Sequence, residues 1–161
     1  KVLLYAYILG KKANLNSTDM QIICDAALYH DNGRQDDNED SFHGMVSAHN
    51  INRFISSQIY EDKENINILK AICDAHSRPE SSKYLSFKDY EINIKDYHRY
   101  SILLSILKDA DALDRKRFNR TSSSALKLSF LRNKESIDLI KLATDINNYF
   151  LFIANQYYYN K

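Results

Sequence analysis

The chain has 161 residues, 44% of them hydrophobic, which is enough apolar material for one domain with a sizeable core and too little length for two. Its 22 basic and 21 acidic residues leave a formal net charge of +1, which excludes binding of nucleic acid or of a membrane by bulk charge; any anion must be held by local cations. The two cysteines, Cys24 and Cys73, both fall in apolar helical patterns, where a thiol behaves as a small buried hydrophobe, so a disulfide scaffold is excluded as well.

One proline and three glycines leave few obligatory breaks, which points to an all-α protein. A first helix runs from the start to about Lys12. It is apolar from Val2 onward, so the natural helix is expected to begin earlier. The run 2–9 is too short to span a bilayer and lacks a signal-peptide cleavage pattern, which makes a cytoplasmic location the default expectation. In Leu15-Asn16-Ser17-Thr18-Asp19-Met20, Asn16 can cap a second helix while Asp19 answers from the third helical position, and Leu15 and Met20 have the spacing of a hydrophobic staple. Met20, Ile23, Ala27 and His30 follow at steps of three and four, which puts His30 on the inward stripe. Gly33 suits a left-handed turn that would end this helix.

The acidic run 36–40 reads as a solvated loop, with Ser41 as cap of a third helix over about 42–60. A fourth helix over about 63–75 puts Ile66, Leu69, Cys73 and His76 on one face. Residues 77–95, with Pro79, read as a long connection of the kind that serves as a lid. A fifth helix over about 97–114 aligns Tyr100, Leu104, Leu107 and Asp111, and turns His98 about 220° away from Asp111 at roughly 100° per residue, towards solvent. The stretch 117–133, with Thr121 to Ser124, reads as irregular. A last helix over about 135–156 carries Ile137, Ile140, Leu142, Ile146, Phe150 and Ile153 inward. The expected architecture is a compact bundle of about six helices forming one domain over 1–161, with no internal repeat.

His30, Asp31, His76 and Asp111 thus fall on the inward faces or inner ends of three separate helices, and His43 can join them from a fourth element. Burying two carboxylates together costs several kcal/mol each unless they are paired or bind a cation. Imidazole nitrogen and carboxylate oxygen form a mixed donor set that suits first-row divalent ions. The order His30-Asp31, His43-Gly44, Ala75-His76-Ser77 and then Ala110-Asp111-Ala112-Leu113 resembles the HD superfamily of metal-dependent phosphohydrolases over about residues 1–117.

That resemblance implies a compact HD-domain helical bundle and one or two divalent ions per chain, drawn from Mn, Fe, Zn, Ni, Co or Mg. The first ion would be held by His30, Asp31 and Asp111, and the second by Asp31, His43 and His76. Asp111 is preferred over Asp109 and Asp114 because it stands in an Ala-Asp-x-Leu element; Asp114 would orient a neighbouring ligand. In one respect the chain departs from the pattern: no histidine precedes His30, so the first-helix histidine lies before Lys1 or is lost.

Such a site activates water for attack at phosphorus. Arg34, just beyond the His-Asp turn, and Lys108 and Arg115, spaced three before and four after Asp111, are the expected catalytic cations for an anionic substrate. The expected partner is a small phosphorylated substrate, a nucleotide or related phosphoester, and neither nucleic acid nor a membrane. The competing expectation is a non-catalytic module of the same fold that binds metal or nucleotide as a sensor.

Overall fold

The computed structural model describes residues 1–36, 40–79, 94–118 and 125–159. The regular structure is helical throughout, with no strand among the described residues: α1 (Val2–Lys12), α2 (Ser17–Tyr29), α3 (His43–Asn50), α4 (Lys63–Ala75), α5 (Tyr97–Asp114), α6 (Lys134–Asp138) and α7 (Ile140–Tyr159), joined in places by short 3₁₀ turns. The all-α expectation holds. The middle of the acidic run, most of the 77–95 connection with its expected lid, and Thr121 to Ser124 lie outside the described residues.

Local chemistry starts the helices. At α2 the Asn16 side chain accepts the Asp19 N–H at 2.9 Å while its amide donates to the Asp19 carboxylate at 3.1 Å, the reciprocal capping read from the sequence. Leu15 and Met20 both close over Gly10 of α1, where a Cβ would stand 2.9 Å from Met20 Cε and 3.2 Å from Leu15 Cδ1. Asp62 caps α4 through the Glu64 N–H, and Asp96 caps α5 through the Arg99 N–H, each at 2.9 Å.

The central element is α5, against which α1, α2 and α4 pack. Tyr5, Ile22, Ile23, Ile68, Leu69, Ile72, Leu103, Leu107 and Leu113 are fully buried there. Each such aliphatic side chain contributes roughly 1.5–3 kcal/mol by leaving water. A polar network joins the beginnings of α2, α4 and α5. Arg99 donates through Nε to Asp19 at 2.5 Å and through Nη2 to Asn65 at 2.7 Å, and the Asn65 amide donates to the Ile59 carbonyl. These three helices therefore start at one end of the bundle and run the same way, which brings their C-terminal parts together at the other.

A second knot ties α5 to α6. Asp109 is wholly buried and accepts from the Arg132 and Asn133 backbone N–H groups, the Asn133 amide and the Ser136 hydroxyl at 2.6–3.1 Å, with Arg132 Nη1 at 3.3 Å.

Four local expectations are corrected. The third helix ends at Asn50 instead of continuing to 60, and two 3₁₀ turns, Ile51–Arg53 and Gln58–Glu61, carry the chain to α4. Ser41 does not cap it; the Phe42 N–H is taken by the Asp40 carboxylate at 2.7 Å. The last helix is two, broken at Leu139, which is buried; Ile137 and Phe150, expected inward, are exposed. Gly33 does not adopt a left-handed conformation, which is taken instead by Asn14 (φ 53°) after α1. Gly33 is needed for close approach: a Cβ there would stand 2.7 Å from the Ser47 nitrogen and from Val46 Cβ and would also meet the His43 carbonyl. His98 is exposed, as its phase on α5 requires. No helix among the described residues is long and apolar enough to cross a membrane.

Candidate functional site

At the C-terminal end of the three co-directed helices lies a cleft of about 130 Å³, lined by Asp31, Arg34, His43, His76, Asp111 and Arg115 together with Asp40, Ser41 and Ser77. His30 forms its buried floor beside Asp31 and Asp111.

Two of the histidines arrive by the same local device. His30 and His76 are the C-caps of α2 and α4, where the last-turn carbonyls have no helical partner. Each imidazole folds back onto the carbonyl three residues earlier: His30 Nδ1 donates to Ala27 O at 3.1 Å, and His76 Nδ1 to Cys73 O at 2.6 Å. His43, the first residue of α3, does the same to Asp40 O. A carbonyl can only accept, so Nδ1 carries the proton in all three rings and Nε2 is the free lone pair of each neutral imidazole.

Two close approaches bring the third ring in. Gly44 lets the start of α3 sit on the end of α4; a Cβ there would stand 2.5 Å from Cys73 O and 2.7 Å from Asp74 O. The Gly33 N–H donates to Ser47 Oγ at 2.8 Å, fastening the turn after α2 to α3, and Ser77 Oγ donates to Ser41 O at 3.0 Å, fastening α4 to the approach of α3.

The three Nε2 atoms converge on the carboxylate of Asp31. Its Oδ1 is 3.0 Å from His43 Nε2 and 3.5 Å from His76 Nε2, and those two nitrogens are 3.0 Å apart. Its Oδ2 is 3.6 Å from His30 Nε2, which stands 3.8 Å from Asp111 Oδ1. One donor atom each from His30, Asp31 and His76 lie within 4.8 Å of one another. Donors about 2.0–2.1 Å from a tetrahedral ion are about 3.3 Å apart, so the separations around Oδ1 already match ligand edges.

Electrostatics favour a cation here. His30 Nε2 is buried with no hydrogen-bond partner, since both carboxylates stand beyond hydrogen-bonding distance. Two lone pairs 3.0 Å apart on His43 and His76 repel unless a proton or cation lies near both. The ends of α2 and α4 add the partial negative charge of helix C-termini. The titration behaviour has the same cause. Burial opposes charge on His30, but Asp111 and Asp31 outweigh it and raise its pKa; Asp31 raises that of His43 against its burial. Burial lowers His76, the deepest of the three. Burial pushes the Asp31 carboxyl up, but the imidazoles of His43 and His76 beside it hold it far below the usual carboxylate range, and the imidazole of His30 lowers Asp111 against its burial in the same way. The residues present therefore fit a divalent ion.

All five residues expected to hold metal, His30, Asp31, His43, His76 and Asp111, meet in this cluster. Among the expected catalytic cations, Arg34 and Arg115 line the cleft, with Arg34 Nη1 3.9 Å from Asp31 Oδ2. Lys108 does not: its buried ammonium donates to the Arg78 carbonyl just beyond α4 at 2.8 Å. Asp114, expected to orient a ligand, is bound instead to Arg117 and stands 3.3 Å from Lys1 Nζ. Sequence reasoning missed Ser41 and Ser77 as cleft walls; adjacency of Ser77 to His76 was the available signal.

A family model of the SidE phosphodiesterase (PDE) domain matches residues 6–157. No curated protein and no solved structure matches the chain. This corrects the HD superfamily assignment, because the matching family is not an HD-domain family. The HD reading rested on five ligand-type residues and one Ala-Asp-x-Leu element, a pattern that also left the first histidine unaccounted for, whereas the family match extends along nearly the whole chain. The protein belongs to the SidE phosphodiesterase domain family, which places it among hydrolases.

Proposed function

We propose that the chain is a phosphodiesterase whose His–Asp cluster binds divalent metal, one ion or two, and whose substrate is a small phosphorylated molecule, a nucleotide or related phosphoester. The observation that carries this reading is the cluster itself: three imidazoles fixed through Nδ1 to carbonyls, with their Nε2 atoms turned on one carboxylate and one of them unpartnered. A divalent ion at such a site supplies positive charge to a phosphate and lowers the pKa of water.

The protein's own groups divide the work. Asp31 addresses His43 and His76 with one oxygen and His30 with the other, and His30 in turn faces Asp111, so these five residues would hold the metal. The backbone carbonyls behind the rings hold each imidazole in the tautomer and orientation that presents Nε2. Arg34 and Arg115 stand on the rim, where planar guanidinium groups pair with the non-bridging oxygens of a phosphate and hold phosphorus over the cluster. Arg34 is itself steadied by donation from Nε to the Asp36 carbonyl at 3.0 Å.

Elemental analysis of the purified protein, followed by assay of nucleotide diesters, cyclic dinucleotides, and nucleoside mono-, di- and triphosphates with added Mn²⁺ and with EDTA, tests the proposal. The expected result is metal in the protein and turnover that EDTA abolishes and Mn²⁺ restores. Turnover that persists through EDTA treatment removes the metal from the reading while leaving the phosphodiesterase. Nucleotide binding with no turnover anywhere in the series makes the domain a sensor.

A further inference from the structure

The cleft is too small for a whole phosphodiester, so the organic part of the substrate must lie beside it. On the other side of Arg115 a second cavity of about 580 Å³ opens between the end of α5 and α7, within the range of roughly 300–1,000 Å³ usual for small-molecule sites. Arg115 lines both spaces. Its guanidinium lies over the Phe130 ring at 5.3 Å, so the side chain that reaches the phosphate position is braced at the boundary between the two.

The far cavity differs in chemistry from the cleft. Among the described residues its lining has no carboxylate and no imidazole; its walls combine aliphatic surface from Leu126 and Ile140 with the carboxamides of Asn147 and Asn148 on α7. Neither amide has a hydrogen-bond partner among the described residues. The Thr144 hydroxyl, also on this wall, spends its proton on the Ile140 carbonyl at 2.8 Å and offers only its lone pairs. A carboxamide presents a donor and an acceptor side by side, which is the complement of a heterocycle edge, while the aliphatic wall takes the face of a ring.

We infer that this cavity seats the nucleoside arm of the substrate, with its phosphate turned through Arg115 into the His–Asp cleft. The inference rests on reading the cleft as a phosphodiester site, and it adds where the base is held and by which residues. Lys116 lines the same cavity and adds a second positive charge beside Arg115.

Titration of the full chain with AMP, UMP, ribose 5-phosphate and inorganic phosphate in the presence of Mn²⁺, followed by calorimetry, tests it. Both nucleoside monophosphates are expected to bind at least about ten-fold more tightly than ribose 5-phosphate, roughly 1.4 kcal/mol. Thr144→Leu fills the cavity with a better helix former and is expected to erase that margin without weakening ribose 5-phosphate. Asn148→Ala, at an exposed position that any helix former suits, is expected to reduce the margin about three-fold and keeps the test open if the larger side chain disturbs α7. Equal affinity for AMP and ribose 5-phosphate, or a margin that survives both substitutions, overturns the inference. A margin that is present in a protein without diesterase activity defeats the catalytic reading alone; diester turnover with no preference for the base defeats this one alone.

Discussion

The helices α2, α4 and α5 carry polar clusters at both ends, and the two clusters are built to opposite rules. At the N-terminal end Arg99 donates to Asp19 and Asn65 while Asn65 donates to a carbonyl, so each charge meets its opposite and each amide has a partner. At the C-terminal end the same helices deliver His30, His76 and Asp111, and there the donors are consumed on backbone carbonyls while the lone pairs of Nε2 face one another and two carboxylates. A buried polar atom without a partner costs about 1–3 kcal/mol. Both ends are buried and charged, so burial does not separate them. What separates them is completion: one cluster is closed within the protein, and the other keeps a buried Nε2 lone pair without a partner.

The sharpest break between the ends is expected from Asp31→Ala. Loss of the one carboxylate that meets all three histidines should lower turnover by at least about 10³-fold and lower the metal content, since charge placed at the reacting centre is worth several kcal/mol. Unfolding in urea should move by no more than about 1 kcal/mol, because Asp31 is partly exposed and its neighbours regain water. Arg99→Met is expected to do the reverse. It takes the guanidinium from Asp19 and leaves that carboxylate only the Asn16 amide, and the free energy of unfolding should fall by about 2–4 kcal/mol with kcat on the same substrate unchanged. If Arg99→Met proves as damaging to kcat as to stability, the two ends are coupled and the contrast fails.

Gly44→Ala comes between these extremes, since it leaves every ligand in the sequence and alters only their spacing. The new methyl meets the carbonyls of Cys73 and Asp74, α3 must back away from α4, and the 3.0 Å separation of His43 and His76 widens. About 1–3 kcal/mol of stability and about 10–10²-fold of turnover should go together. Full activity with lost stability would show that His43 is dispensable. A smaller effect is expected from the two cations flanking Asp111. Arg115→Met should raise KM for an anionic substrate several-fold, whereas Lys108→Met should act on stability, since its ammonium holds the Arg78 carbonyl.

Much of this was legible locally. The N-cap at Asn16, the bounds of α4 and α5, and the inward phase of His30, His76 and Asp111 depend on residues within one or two turns, and the chain carries those signals directly. Long-range facts were not legible. A glycine looks the same whether it turns the chain left-handed or admits a neighbouring helix, so the close approaches at Gly33 and Gly44 emerge only when α3 is seen on α4. Lys108 shares a helix with Asp111 on paper, but a long side chain goes where an acceptor is, and the carbonyl of Arg78 lies thirty positions away. The breaks after Asn50 and at Leu139 are likewise set by packing, with Ile51 and Leu139 both buried. The family could not be read from a handful of ligand types, because histidines and aspartates at helix ends are a solution open to more than one hydrolase lineage.

The smallest expected effect concerns pH in the metal-free protein. Raised values for His30 and His43 mean that the folded state holds their protons more tightly than the unfolded chain does. That stabilisation is fully present below the ordinary imidazole pKa of about 6.5 and is lost as pH rises through the raised folded values. His76 works the other way, since burial lowers its pKa, but its contribution changes only below about 6.5, where the unfolded chain still takes up the proton. Above that pH the loss from His30 and His43 is therefore unopposed within the cluster. An ion seated on the same nitrogens excludes those protons, so thermal midpoints with saturating Mn²⁺ should rise relative to the metal-free protein as pH increases from about 6.5. Comparing the two curves cancels every group outside the cluster, including the N-terminal amine, whose own shift has the opposite sign. If the curves run parallel across that interval, Mn²⁺ does not bind where the protons do, and the open end of the helices is not a metal site.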